Sequence, residues 1–214
     1  MRKIIIFGTG PQSKLVLSQI DNYHFKEIFF FNDKDNKNKT ITYNKKKLVI
    51  IKKYGELKKK INKNTFGFIG IGSNLIRKKI IKTLKLKSID LKWLKIISNK
   101  TNIHPSVIIG EGSLVMPGVT INTNSVIGNH CLINTNSSID HDNKFGDFVS
   151  TGPGVNTAGN VNVESFCHLG IGSNIKENIN IKKNTIIGGG SFVNKNCNQN
   201  SLYFGVPAKK IKKK

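Results

Sequence analysis

IGNHCL INTNSS IDHDNK FGDFVS TGPGVN TAGNVN VESFCH, residues 127–168 written in sixes, decides the fold of this chain. Each block opens on Ile, Phe, Val or Thr. Stepping by six from Ile103 to Val193 meets Ile103, Ile109, Val115, Ile121, Ile127, Ile133, Ile139, Phe145, Thr151, Thr157, Val163, Leu169, Ile175, Ile181, Ile187 and Val193, which are fourteen apolar residues and two β-branched threonines. Two positions earlier runs a compact column that includes Ser113, Val119, Ser125, Cys131, Ser137, Val149, Val155, Cys167 and Ser173. One position later, Gly110, Gly128 and Gly146 recur every eighteen residues, as do Gly152, Gly170 and Gly188. A period of six sustained for ninety residues fits neither a helix nor an ordinary strand. Eighteen is three sixes, so the pattern predicts a triangular coil of three short strands. The aliphatic side chain points inward, the compact residue fits the corner, and Gly or Asn accepts the positive φ that a corner requires. Each coil buries its core against its neighbours, which is the hexapeptide-repeat, left-handed parallel β-helix. Cys131 and Cys167 fall in the compact column and read as core residues.

The front of the chain has another rhythm. Residues 3–9, KIIIFGT, read as a buried strand, and Gly8-Thr9-Gly10-Pro11-Gln12 turns into a helix over residues 13–20. Residues 27–31, EIFFF, form a second strand ending at Asn32-Asp33, and residues 66–71, FGFIGI, a third, followed by a helix with Arg77, Lys78 and Lys79. Strand, glycine turn, helix, strand, acid is the order of a Rossmann-like, mononucleotide-binding βαβ unit. The spacing lacks the third glycine of GxGxxG. It fits either a clipped phosphate-facing turn at a helix N-terminus or a simple tight turn. The expected organisation is a Rossmann-like α/β domain over residues 1–82, a linker over 83–102 with Trp93 capping the first coil, the β-helix over 103–201 and a basic tail over 202–214.

The net charge is +23, and 25 of the 35 Lys and Arg but only 6 of the 12 Asp and Glu lie in residues 1–100. Such a balance points to an anionic partner, a nucleotide or CoA among them, or to a solvated lysine-rich face. No aromatic RNA-binding signature accompanies it, and Arg2 and Arg77 are the only arginines, so nucleic acid is not the expected partner. Cys131, Cys167 and Cys197 form no CxxC pair, which suits a reducing compartment and speaks against a disulfide framework. The N-terminal apolar run is too short for a signal peptide, and nothing approaches the roughly 20 apolar residues of a membrane span. The expected location is the cytoplasm.

Of five histidines, His24 has no partner in view, His104 sits where the solenoid begins and reads as structural, and His130 and His168 read as corner or surface residues. His141 stands apart because Asp140 and Asp142 flank it. A neutral imidazole is a suitable general base near neutral pH, and a carboxylate fixes its tautomer. Adjacent residues on a straight strand point opposite ways, so a His141–Asp142 pair demands a corner or bulge. Zinc-binding β-helices need spacings such as His-x4-His. Gly146 stands five residues after His141, so no metal is expected.

Longer stretches carry a resemblance: Phe68-Ile69-Gly70-Ile71-Gly72-Ser73-Asn74 with Ile76-Arg77-Lys78-Lys79; Ile133-Asn134-Thr135 before Ile139-Asp140-His141-Asp142; Gly152-Pro153-Gly154 before Ala158-Gly159-Asn160-Val161; Gly188-Gly189-Gly190; and Phe204-Gly205-Val206-Pro207-Ala208-Lys209. From about Lys3 to Ile211 the chain resembles the bacterial sugar acetyltransferases grouped with sialic-acid O-acetyltransferases. Within them it resembles the UDP-4-amino-sugar N-acetyltransferases of bacillosamine-type pathways. The resemblance implies a homotrimer with acetyl-CoA between adjacent β-helices, His141 as catalytic base and Asp142 as its partner. It implies Gly159, Ile171 and Gly189 at the acetyl-CoA site. It also places Asn32 and Asp33 at the nucleotide base of a sugar-nucleotide substrate, and Gly8, Gly10 and Gln12 in the loop beneath its diphosphate. The chain departs from the family at Ser150, where a second histidine is common, and at Pro11, Gln12 and Asn32. The expected activity is acetyl transfer from acetyl-CoA to the amine of a nucleotide-linked sugar, with O-acetylation of a sialic-acid-like sugar as the alternative. A scaffold with a basic, nucleic-acid-holding front half is the reading from another class, and the His141-Asp142 pair speaks against it.

Overall fold

Ile4, Ile5 and Ile6 are wholly buried, as an apolar run is when both faces of a parallel sheet are covered. They lie in the central strand, Lys3–Phe7 (β1), of a six-stranded sheet. The computed structural model describes residues 2–34 and 39–211, and the chain divides into two units between residues 96 and 97. In the first unit β1 leads through a helix, Pro11–Ile20 (α1), to Glu27–Phe31 (β2) beside it. Thr40–Tyr43 (β3) and Lys46–Ile51 (β4) form a hairpin on the far edge, and Tyr54–Lys60 (α2) crosses back to Thr65–Ile69 (β5) on the other side of β1. Asn74–Leu86 (α3) and the short strand Lys92–Trp93 (β6) complete the order β3-β4-β2-β1-β5-β6. The chain therefore leaves β1 in opposite directions, and the crevice above the C-terminal ends of β1, β2 and β5 is the topological switch point where open α/β sheets bind ligands.

The stretch expected as a linker is largely part of this unit. α3 runs through Leu86, and β6 pairs with β5, setting Trp93 opposite Gly67. Trp93, expected to cap the first coil, packs in the front core, its ring centroid 5.9 Å from that of Phe7. Gly67 makes this possible, since a Cβ there would lie 2.9 Å from the indole.

The second unit is the left-handed parallel β-helix. Its rungs are two residues long, and rungs eighteen residues apart pair in parallel, Ile121 with Ile139 and Ile127 with Phe145. Every residue of the six-step column from Ile109 to Val193 is buried, and so is the compact column from Ser113 to Ser191. Serine suits the compact column because its hydroxyl bridges successive coils. Ser113 Oγ donates to the Gly128 carbonyl at 2.8 Å and accepts from the Cys131 N–H at 2.9 Å, and Ser125 repeats this with Asp140 and Asn143. Burial pushes the Cys167 thiol up to about 11, as a core cysteine requires. The sheet continues past residue 201. Leu202–Phe204 pairs with Ile186–Ile187 and folds against Lys209–Ile211, so the expected tail is ordered structure as far as Ile211, and residues 212–214 lie outside the described residues.

A further expectation is corrected. The glycines directly after the aliphatic column do not make the corners. They lie where coils touch: a Cβ on Gly110 would sit 2.5 Å from the Gly128 backbone. The left-handed conformation falls two residues later, at every sixth residue from Gly112 to Gly190. Glycine and asparagine fill this column except at His130, Asp142, Phe148 and Phe166. Three of those four are rings stacked at 5.2 and 5.1 Å along one corner, so stacking offsets the backbone strain. The fourth, Asp142, has another reason to be there.

Candidate active site and nucleotide cleft

Between the rungs Ser138–Ile139 and Lys144–Phe145 the chain turns a corner at residues 140–142. Asp142 takes φ 57° there, which rotates its side chain off the alternation of a strand and back toward its neighbour. His141 Nδ1 lies 2.7 Å from Asp142 Oδ2, so the corner demanded by the sequence is present. An ionised carboxylate only accepts, so Nδ1 carries the proton and Nε2 is left with its lone pair. The hydrogen bond to Asp142, with the charges of Asp140 and Asp142 behind it, raises the His141 pKa above the ordinary value. The same bond, with one from Asn124, lowers Asp142, and the Asn122 amide with the His141 backbone N–H lowers Asp140.

The backbone of this corner is pinned from inside. Asn143 is wholly buried, and its amide nitrogen donates to the carbonyls of Asp140 at 2.9 Å, His141 at 3.1 Å and Ala158 at 2.9 Å. It is the one asparagine in a column of Ser, Thr, Cys, Val and Ile, a visible signal that the sequence reading passed over. Gly159, eighteen residues on, lies under the ring: a Cβ there would fall 2.5 Å from both Cε1 and Nε2 of His141. Beside Asp142 opens a polar hollow of about 370 Å³ lined by Asn124, Lys144, Asn160, Val161 and Asn162.

The other expected acetyl-CoA positions lie elsewhere on the coil. Ile171 is 64% exposed, and Gly189, eighteen residues later, lies against it, a Cβ there falling 3.0 Å from Ile171 Cγ2. They share one corner of the triangular coil, while Gly159 and His141 share another. Ser150, in place of the family's second histidine, is buried. His168 is exposed on its rung, and His130 belongs to the ring stack. Among the described residues no cluster of three or more His, Cys, Asp or Glu stands ready for a metal.

In the front unit, Gly8, Gly10, Gln12, Asn32 and Asp33 all line one cleft of about 920 Å³ at the switch point, together with Lys34, Tyr54, Ile71, Lys79 and Thr83. Gly8 at φ 103° closes tightly on Ile71, whose Cγ1 would lie 2.6 Å from a Cβ. Gly10 caps α1 with open space around it, so a ligand can approach the helix N-terminus. Ser13 stands where GxGxxG has its third glycine. It is buried, and its hydroxyl lies 2.9 Å from the Gly8 carbonyl and 3.0 Å from that of Gly70, tying the ends of β1 and β5. Asn32 donates to Thr9 Oγ1 at 3.0 Å and accepts from the Lys34 N–H at 3.1 Å. Asp33 accepts from Tyr54 OH at 2.8 Å, and burial with that bond raises the Tyr54 pKa. Arg77, read from sequence as one of a cationic run, is buried. It donates to the carbonyls of Ile71 at 3.1 Å and Gly72 at 2.7 Å and so braces the loop that roofs the cleft.

Comparison with known proteins agrees with both halves. Residues 3–84 match the family model of the PglD N-terminal domain, and residues 100–135 match the bacterial transferase hexapeptide (six repeats) model. Among solved structures, perosamine N-acetyltransferase from Caulobacter crescentus, as an Asn-for-His mutant in complex with CoA and GDP-perosamine, is similar at a TM-score of 0.85 and 27% identity, covering 100% of this chain and 98% of that one. WeeI from Acinetobacter baumannii AYE is similar at a TM-score of 0.86 and 25% identity, over 99% of this chain and 100% of that one. The acetyltransferase domain of PglB from Neisseria gonorrhoeae FA1090 has the same fold, with a TM-score of 0.87 at 23% identity over 99% and 100% of the two chains. No curated protein sequence matches this chain.

Proposed function

We propose that this chain, a PglD-type N-terminal domain followed by a bacterial hexapeptide-transferase β-helix, is a sugar N-acetyltransferase that moves acetyl from acetyl-CoA to the amino group of a nucleotide-linked sugar. The observation that carries the reading is the imidazole of His141, held at Nδ1 by Asp142 and open at Nε2 above the side-chain-free Gly159. The sugar amine attacks the thioester carbonyl, and Nε2 takes the proton that the nitrogen must lose. The Ala158 and Asn160 N–H groups donate to Ile175 and His141, so the N–H of Gly159 itself is the donor assigned to the oxyanion. When the tetrahedral intermediate collapses, the C–S bond breaks and the imidazolium returns its proton to the departing thiolate. The thioester is already activated, so no acyl-enzyme is needed. The relative from Caulobacter crescentus was captured with CoA and a GDP-linked sugar, which supports this pairing of substrates.

The test is release of CoA thiol from acetyl-CoA in the presence of UDP- and GDP-linked 4-amino sugars, free sialic acid or no acceptor. Release with an amino-sugar nucleotide alone is expected. Release with sialic acid instead moves the reaction to a hydroxyl acceptor.

The front cleft is read as the nucleotide site, with Asn32 and Asp33 toward the base and the Gly8–Gln12 turn toward the diphosphate. The N-terminus of α1, Lys34 and Lys79 supply the positive potential. A nucleoside diphosphate at a hundred times its Kd adds about 2.7 kcal/mol of stability. UDP or GDP is therefore expected to raise Tm by several degrees, and a flat response to both at millimolar concentration overturns the assignment.

The split of Gly159 from Ile171 and Gly189 between two corners supports a homotrimer, in which one chain's His141 corner meets another chain's Ile171 corner and acetyl-CoA lies between them. The solution mass is expected at about three times the 23.8 kDa of one chain, and a strict monomer removes that groove. The three cysteines are buried and none is in a disulfide, which suits the cytoplasm, where we place the enzyme.

A further inference from the structure

The corner residue one coil before Asp142 shares its conformation: Asn124 has φ 58° against 57° for Asp142. The Asn124 side-chain nitrogen donates to Asp142 Oδ1 at 3.3 Å, while Oδ2 of the same carboxylate accepts from His141 Nδ1. A carboxylate has no proton to give, so the amide's nitrogen and not its oxygen faces Asp142. Asn124 is itself seated from the coil before. Its backbone N–H donates to Ser106 Oγ at 2.8 Å, and that hydroxyl lies 2.9 Å from His104 Nδ1 and 3.2 Å from Thr123 Oγ1. The Asp142 backbone N–H completes the ladder by donating to the Thr123 carbonyl at 3.0 Å.

We infer that Asn124 is a positioning residue for the reaction: its amide holds the Asp142 carboxylate in the orientation that reaches His141 Nδ1. The inference rests on His141 being the base. Its physical content is that Asp142 is 43% exposed at the side chain and would otherwise turn freely into water. A turning carboxylate leaves the imidazole free to change tautomer and to swing away from the acceptor nitrogen. The ladder also explains why asparagine stands at 124, where glycine would satisfy the backbone equally well. Among the described residues the charges around the pair are Asp140 and Asp142 themselves and Lys144, which acts on Asp142. Thr123 and Asn124 from the coil before, and Gly159 and Asn160 from the coil after, bring none.

Two substitutions that both accept a left-handed backbone separate this role from a structural one. Asn124→Gly removes the amide. Asn124→Asp sets a second carboxylate against the first. In protein labelled with 13C at histidine Cε1, the His141 signal is identified by its loss in His141→Ala and titrated in each variant. Its midpoint is expected to fall in Asn124→Gly, where Asp142 is no longer held, and to rise in Asn124→Asp, where negative charge is added. The acid limb of kcat/KM follows in the same two directions. For Asn124→Gly, kcat drops about tenfold with little change in KM for acetyl-CoA, well short of the roughly hundredfold that a 1 Å misplacement produces. Asn178→Gly, at the same corner three coils on, controls for the left-handed backbone. His141 midpoints that stay at the wild-type value in both Asn124 variants, or move together in one direction, overturn the inference whether or not an acceptor has been found. Opposite movements with a fully active His141→Ala variant instead sink the reading of His141 as the base.

Discussion

His141→Ala is expected to lower kcat by about 10³-fold while leaving CoA binding intact. A positioned general base contributes about 10² to 10⁴ in rate, and the other imidazole at this corner, His104, stands two coils back, engaged with Ser106. The imidazole is 46% exposed and lies outside the buried core, so the variant is expected to keep its Tm, and the loss is read as a change in kcat rather than in folded protein. The pH profile carries a second signature. His141 acts as a base only when neutral, and its pKa stands above the ordinary value of about 6.5 because Asp142 bonds to the protonated ring and Asp140 and Asp142 add negative charge. The acid limb of wild-type kcat/KM therefore lies above that value, and activity falls as pH drops through it. Asp142→Asn removes one charge and, with its amide oxygen held toward the Asn124 donor, turns an N–H instead of an acceptor to Nδ1, so its acid limb moves toward lower pH while kcat falls, since the tautomer with the lone pair on Nε2 is no longer selected. Unchanged turnover in His141→Ala refutes the assignment. An acid limb that stays in place in Asp142→Asn separates the carboxylate from the histidine.

The parts of this molecule that were legible in the sequence are those that a repeat enforces. The aliphatic column had to point inward because each coil has only its neighbours to pack against, and all fifteen of its members from Ile109 to Val193 are buried. The βαβ order of the front placed Gly8, Gly10, Gln12, Asn32 and Asp33, and these five line one cleft because a switch point gathers the ends of β1, β2 and β5 whatever the loop chemistry. The residues passed over are those whose role appears only once the coils stack or the loops close. Arg77 read as one cation among many, yet its guanidinium is buried against two carbonyls. The period of eighteen is plain in the glycine columns, and the corners share it. Read down the corner instead, it joins Ser106, Asn124, Asp142 and Asn160 into one polar ladder beside His141. The glycine column reads as corners because glycine accepts a positive φ, whereas here the closeness of adjacent coils sets it.

Gly159→Ala is expected to be nearly as damaging to turnover as loss of the base, by about 10²-fold, with little effect on stability. Gly159 is not in the left-handed region, so its backbone accepts alanine without strain. The obstacle is the imidazole. An added methyl would lie 2.5 Å from Cε1 and Nε2 and 3.2 Å from Cδ2, closer than nonbonded carbon can come. One of the two groups must move, and the Gly159 backbone cannot, because the flanking Ala158 and Asn160 N–H groups donate to Ile175 at 3.0 Å and His141 at 3.1 Å. The His141 side chain is half exposed and turns outward at small cost to the fold. In doing so it gives up the 2.7 Å bond to Asp142 and carries Nε2 away from the face on which a thioester would lie. Displacement of a catalytic group by 1 Å costs about a hundredfold. Tm within a degree or two of wild type, with kcat down about 10²-fold and His141 titrating closer to an ordinary histidine, is the expected set of results. Full activity in Gly159→Ala would mean that the productive position of the ring lies elsewhere, and with it the geometry that makes Nε2 the base.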